Sequence, residues 1–150
     1  MVAMENKRVL ITGGNSGIGK VTAIELAKKG ACLVLACRPG DKTEIALAEI
    51  NAVGTQEAIN LPVDLASLES VRNLAVEFLR RYDALDVLIN NAGVFPSRKQ
   101  FTADGFEKQI GVNHLSHLLL TDLLIDVLKS TPSARVVTVS SMLHKKGQIG

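Results

Sequence analysis

Eight residues near the start of the chain, Thr12-Gly13-Gly14-Asn15-Ser16-Gly17-Ile18-Gly19, follow directly on the apolar run Val9-Leu10-Ile11. Glycines at this spacing call for a strand that turns sharply into a helix and leaves backbone N–H groups bare. Gly13 allows the tight turn, Gly17 lets a group such as a pyrophosphate come close to the backbone, and Gly19 lets helix and strand pack together. The helix N-terminus then turns its partial positive charge toward the anion. A glycine triplet alone is a weak signal, but a strand before it and a helix after it give it weight.

Strand and helix patterns alternate along the rest of the chain. Strands are predicted at Arg8 to Thr12, Ala31 to Cys37, about Glu57 to Val63, Leu85 to Ile89 and Val136 to Val139. Pro62 marks the third as an edge strand or one that is ending. Between them lies a helix from Gly17 to Lys29, with Ile18, Val21, Ile24 and Leu26 apolar and Gly30 as its stop. A second helix is capped by Asp41 and runs to about Val53. A third is capped by Ser67, with Leu68, Val71, Leu74, Ala75, Phe78 and Leu79 on one face. Phe95 to Arg98 reads as a loop. A long helix is expected from about Asp104 to Lys129, stopped before Pro132. Met142 to Gly150 shows no pattern.

Helices between strands imply right-handed crossovers and a parallel sheet. The predicted architecture is a single α/β domain over residues 1–150, a doubly wound sheet of order 3-2-1-4-5 between two helix layers. A ligand then sits at the carboxyl ends of the strands, where the winding reverses. Composition agrees: 47% of residues are apolar but only 3% aromatic, a core of Val, Ile, Leu and Ala. Seventeen basic and 15 acidic residues give a net charge of +2, too small for a nucleic-acid partner. Cys32 and Cys37 fall on opposite faces of one strand, so no disulfide joins them, and a reducing, cytoplasmic setting is expected. The polar start, Met1 to Asn6, leaves no expectation of a signal peptide or membrane span.

Further features gather at the strand ends: Ala36-Cys37-Arg38, Val63-Asp64-Leu65, Asn90-Asn91-Ala92-Gly93 and Ser140-Ser141. With the glycine turn, they resemble the short-chain dehydrogenase/reductase family, over nearly the whole chain. Ile18-Gly19-Lys20, Ala36-Cys37-Arg38 and Val112-Asn113-His114-Leu115 resemble its retinol-dehydrogenase-like branch. The resemblance implies a Rossmann-type fold, a nicotinamide coenzyme and hydride transfer to or from an apolar alcohol or carbonyl compound. It sets Gly13, Asn15, Ser16, Gly17, Ile18 and Gly19 against that coenzyme.

Arg38 bears on which coenzyme. NAD-binding sheets usually carry an acid at the end of the second strand, and none stands here. Arg38 is either a solvated loop cation or a planar fork for a ribose 2′-phosphate, so NADP(H) is expected rather than NAD. Asp64 and Leu65 resemble the adenine-side contacts, although Asp64 equally suits a cap before the Ser67 helix. Asn91, Ala92 and Gly93 resemble the segment along the nicotinamide ribose, and Asn90 reads as structural, its amide bridging neighbouring strands.

Asn113 interrupts an apolar helix, where its side chain competes for backbone bonds, and Gly111 beside it agrees with local distortion. The resemblance gives Asn113 a place in a catalytic tetrad, bending the helix and holding a water of a proton relay. A satisfied buried Asn is the plainer alternative. Ser141 resembles the catalytic serine that bonds the substrate oxygen, while two serines closing a strand also serve as turn formers. His114 and His117 lack a third ligand, and no metal site is expected.

The family's central catalyst, a Tyr followed four residues later by Lys, is expected downstream of the serine. The one tyrosine here, Tyr82, precedes the fourth strand, and Asp86 stands where the Lys belongs. The chain is therefore expected to be the N-terminal part of a longer, C-terminally truncated oxidoreductase that binds nucleotide weakly and turns over nothing alone. The competing expectation is a non-catalytic nucleotide-binding or dimerisation module, for example one that pairs with a full-length subunit through the long helix. A homo-oligomer through that helix is expected.

Overall fold

The computed structural model describes residues 4–142, so the leading Met1 to Ala3 and all of the patternless tail except Met142 lie outside the described residues. β1 (Arg8–Thr12), β2 (Cys32–Cys37), β3 (Ile59–Pro62), β4 (Val87–Asn90) and β5 (Arg135–Thr138) form one parallel sheet. Its order is β3-β2-β1-β4-β5, the doubly wound order that the alternating pattern predicts. β1 lies at the centre, with Leu10 opposite Val34 on one side and Leu88 on the other. β3 is an edge strand, which is where Pro62 can sit without costing the sheet a ladder bond.

The period-two alternation of the strands divides the sheet into two cores. Val9, Ile11, Leu33, Leu35 and Cys37 pack toward α1 (Gly17–Lys28) and α2 (Asp41–Asn51). Leu10, Val34, Ala36, Leu61 and Leu88 pack toward α3 (Leu68–Arg81) and the helices that precede β5. Three layers result. Both cysteines are free thiols, and the alternation along β2 puts them on opposite faces.

Several local expectations are corrected. α1 buries Gly19, Ala23 and Ala27, whereas Ile18 and Val21 are exposed. The apolar stripe read from the larger residues is therefore not the packed one, because this helix lies so close to the sheet that only small side chains fit between them. Gly40, not Asp41, holds the N-cap position of α2, and its carbonyl accepts from Thr43 and Glu44. Asp41 and Glu44 lie in the first turn, where their charge suits the helix dipole. α2 ends at Asn51, and β3 and β4 are each shorter than expected. On α3 the Ser67 hydroxyl does accept from the Ser70 N–H, and Val71, Leu74, Ala75 and Phe78 are buried, but Leu79 is exposed.

The long helix differs most. Residues 102–105 form a turn closed by an isolated bridge between Phe101 and Glu107. The Glu107 carboxylate then caps a start at α4 (Lys108–Ile110). A π turn follows over Gly111–Leu115, then α5 (Ser116–Leu123) and α6 (Ile125–Ser130), with the last two separated by a break at Leu124. Pattern reading merges these pieces, since the chain stays helical through the π turn and the breaks carry no proline.

Candidate functional site

A cleft of about 630 Å³ opens at the carboxyl ends of β1, β2 and β4, on either side of the point where the sheet reverses its winding. Its walls come from the segments singled out in the sequence. Gly13, Asn15, Ser16, Ile18, Gly19, Arg38, Asp64, Leu65, Asn91, Ala92 and Gly93 all line it. Gly17, Asn113 and Ser141 do not. The lining residues that sequence reasoning passed over include Lys42 on the first turn of α2 and Lys108 on α4. Neither belongs to a recognisable motif, and each reaches the cleft only because its helix starts there.

The glycine turn is built by close approach. Gly13 has φ +66°, and a Cβ there would stand 2.9 Å from the Ala92 Cα. A Cβ on Gly19 would fall within 2.3 Å of the Gly13 carbonyl oxygen. Beside Gly17 there is open space. Ser16 holds the N-cap position of α1, yet its hydroxyl caps nothing, and the first turn carries no acidic residue. The leading amides of α1 are thus left bare on the cleft side, in contrast to α3 and α4, whose side-chain caps are in place.

Neighbouring side chains hold this turn in place. Asn91 Nδ2 donates to the carbonyls of Thr12 at 2.9 Å and Gly13 at 3.3 Å. Asn15 Nδ2 donates to Thr43 Oγ1 at 2.9 Å, and that hydroxyl donates on to the Arg38 carbonyl at 2.7 Å. The Arg38 guanidinium, exposed at the rim, has no ion-pair or hydrogen-bond partner among the described residues. The Asp64 carboxylate accepts from the Ala66 N–H at 3.0 Å, a local turn rather than a helix cap. The Leu65 carbonyl accepts from the buried Ser116 hydroxyl, tying that wall to α5.

Asn113 sits in the π turn. Its Oδ1 accepts from the Val94 N–H at 2.8 Å and its Nδ2 donates to the Val94 carbonyl at 3.0 Å, so the exposed amide pins the loop after β4. Asn90 does not bridge strands as expected. Its Nδ2 donates to Thr121 Oγ1 of α5 at 3.0 Å, and its buried Oδ1 has no partner among the described residues. Ser141 follows β5 and is exposed. Among the described residues no group of three His, Cys, Asp or Glu side chains comes together as a metal site would require.

A parallel doubly wound sheet with an uncapped glycine turn at its switch point defines the class of dinucleotide-binding α/β proteins. Residues 7–150 match the family model described as short chain dehydrogenase, and the chain belongs to that family. It is 48% identical over 149 residues to human retinol dehydrogenase 11, covering 99% of this chain and 47% of that protein. Against human retinol dehydrogenase 13 it is 46% identical over 144 residues, covering 95% and 44%. The chain thus spans about half the length of the curated relatives it matches. An uncharacterized protein from Mycobacterium paratuberculosis superposes with a TM-score of 0.81 at 43% identity, over 99% of this chain and 51% of the other. A Pseudomonas aeruginosa complex with NADP gives a TM-score of 0.79 at 27% identity, over 94% and 58%. An NADH-dependent reductase complexed with NAD gives 0.78 at 28%, over 98% and 64%. Structures holding either coenzyme share the fold.

Proposed function

We propose that these residues bind NADP(H) and form the coenzyme-binding part of an oxidoreductase that interconverts an apolar alcohol and its carbonyl compound. The observation that carries the reading is the bare first turn of α1, facing a cleft with two unpaired cations, Arg38 and Lys42, at one end and no acid closing β2. The coenzyme fits this lining, and when bound it supplies or accepts the hydride. The α1 amides take its diphosphate, with Gly17 leaving room for close approach. Arg38 presents its fork to a 2′-phosphate, with Lys42 adding charge. Asp64 and Leu65 take the adenine side, and Asn91, Ala92 and Gly93 form the wall along the nicotinamide ribose.

Together with the family's Tyr–Lys pair, which these residues do not supply, Ser141 would donate its hydroxyl to the substrate oxygen and the Asn113 turn would hold a water that relays the tyrosine's proton. The substrate is retinoid- or steroid-like, the former in keeping with the names of the relatives. Tyr82 takes no part. It ends α3 beside the Arg8 guanidinium, 4.2 Å above its ring, at the amino end of β1 and away from the cleft. The residues described here therefore bind coenzyme without turning over substrate. No helix among the described residues is long and apolar enough to cross a membrane.

NADPH and NADH titrations, followed by coenzyme fluorescence or calorimetry, test the reading. NADPH is expected to bind the more tightly, and Arg38→Asp to weaken it by about tenfold or more, as loss of a charge-assisted fork does. An unchanged NADPH/NADH ratio in that variant removes the 2′-phosphate assignment. No heat with either coenzyme at millimolar concentration removes the binding site.

A further inference from the structure

Thr12 closes β1 and is fully buried, and three groups converge on its hydroxyl oxygen. The Asn91 and Ala92 N–H groups both donate to it at 3.0 Å. His117 Nε2, from α5, lies 2.8 Å away. The next acceptor, the Ile89 carbonyl, is at 3.5 Å. A hydroxyl that already accepts from two amides has a single proton to give.

The other ring nitrogen settles where that proton goes. His117 Nδ1 lies 3.0 Å from the main-chain carbonyl of Asn113, an oxygen that can only accept. Nδ1 therefore carries the hydrogen. In the neutral ring Nε2 is then the acceptor, and it takes the proton of the Thr12 hydroxyl. The opposite tautomer sets a lone pair against the Asn113 carbonyl and an N–H against a hydroxyl that already accepts two.

One relay thus runs from the Asn113 carbonyl in the π turn, through the imidazole, to the Thr12 hydroxyl and on to two consecutive amides of the cleft wall. The two halves of this relay come from β1 with the loop after β4, and from the π turn with α5. They share no backbone ladder; the imidazole is the buried link between them, beside the Asn113–Val94 amide pair and the Asn90–Thr121 bond that join the same two halves. A buried network of this kind specifies one arrangement only while every member is satisfied.

We propose that His117, held as its Nδ1–H tautomer, is a positioning residue that locks the Asn91–Ala92 wall of the cleft and the Asn113 turn into one frame. The proposal rests on the coenzyme reading above for its consequence, and on the hydrogen-bond geometry alone for its tautomer.

Long-range ¹⁵N spectra of the ring at neutral pH test the tautomer in the unaltered chain. Signals of a protonated Nδ1 and a bare Nε2 are expected; a protonated Nε2 overturns the proposal. NADPH titrations test the consequence. His117→Leu should weaken binding about tenfold by taking away the acceptor of the buried Thr12 hydroxyl proton. His117→Gln, whose amide oxygen can still accept from Thr12, should recover most of that loss. Thr12→Val should also weaken binding, and the double variant His117→Leu with Thr12→Val should be no worse than the poorer single one. Losses that add, or a leucine variant that binds as the unaltered chain does, overturn the frame. Should the leucine variant fail to fold, the glutamine variant decides the matter: full loss with an intact fold counts against the proposal. An unaltered chain that binds no NADPH removes the coenzyme reading and the cleft role together, while the spectra still report on the relay.

Discussion

Gly19 shows how much a single absent side chain can decide. A methyl group there would press on the Gly13 carbonyl, which is backbone of the turn itself, and on the Asn91 side-chain amide that holds that turn. Gly19→Ala is expected to cost about 1–3 kcal/mol, the range for overpacking, and to weaken coenzyme binding with it. Denaturant unfolding alongside NADPH titration checks both. His117 makes a different kind of prediction. Burial holds its pKa below the ordinary value near 6.5; the bond to the Asn113 carbonyl pulls the other way, and the charge of His114 adds to the lowering. The unfolded chain therefore binds this proton more readily. The neutral ring's contribution is complete above pH 6.5 and is lost as the pH falls below that value toward the folded pKa. Thermal melts between pH 7.5 and 5 should show a drop that His117→Gln flattens; equal slopes in both proteins contradict this.

Among the elements, α3 is the one whose face, cap and amphipathicity the sequence shows best, because a single stripe faces one core. Its Ser67 cap is used, so Ser67→Ala should cost about 1 kcal/mol, seen as a lower denaturant midpoint at unchanged slope. An unaltered midpoint would mean that the N-terminus of α3 is held by other bonds. α1 misleads because packing distance, not hydrophobicity, selects its buried residues. Asp41 looks like a cap because its residue type is right, yet the chain takes the cap position one residue earlier, at Gly40. The long helix misleads because the chain stays helical through the π turn and its breaks carry no proline. Asn113 and Gly111 did signal a distortion, but that the distortion is a π turn, and that Asn113 spends its amide on Val94, depends on where the loop after β4 comes to rest.

At the scale of the molecule, β5 stands apart. Among the described residues the strand is an edge with all four positions exposed, Val136 and Val137 among them. Unpaired, apolar edges template association. α5 offers another apolar contact through the exposed Leu118. The described chain is expected to self-associate as its concentration rises, and sedimentation should show the effect reduced by Val137→Lys if the edge drives it. Reduction by Leu118→Lys instead would support pairing through the helix. A monomer over the whole range would count against both routes.

The alternation of short apolar strands with helices, the glycine turn and the absence of an acid after β2 are properties of residue order. They fix the layered parallel sheet and the end of it where the cleft opens, because period and backbone freedom are local. Which residues line the cleft is not local. Lys42, Lys108 and the Thr12–His117 relay join segments up to 105 positions apart. Their meeting depends on sheet order, helix start points and a π turn, all set by packing over distances that no stretch of sequence encodes by itself.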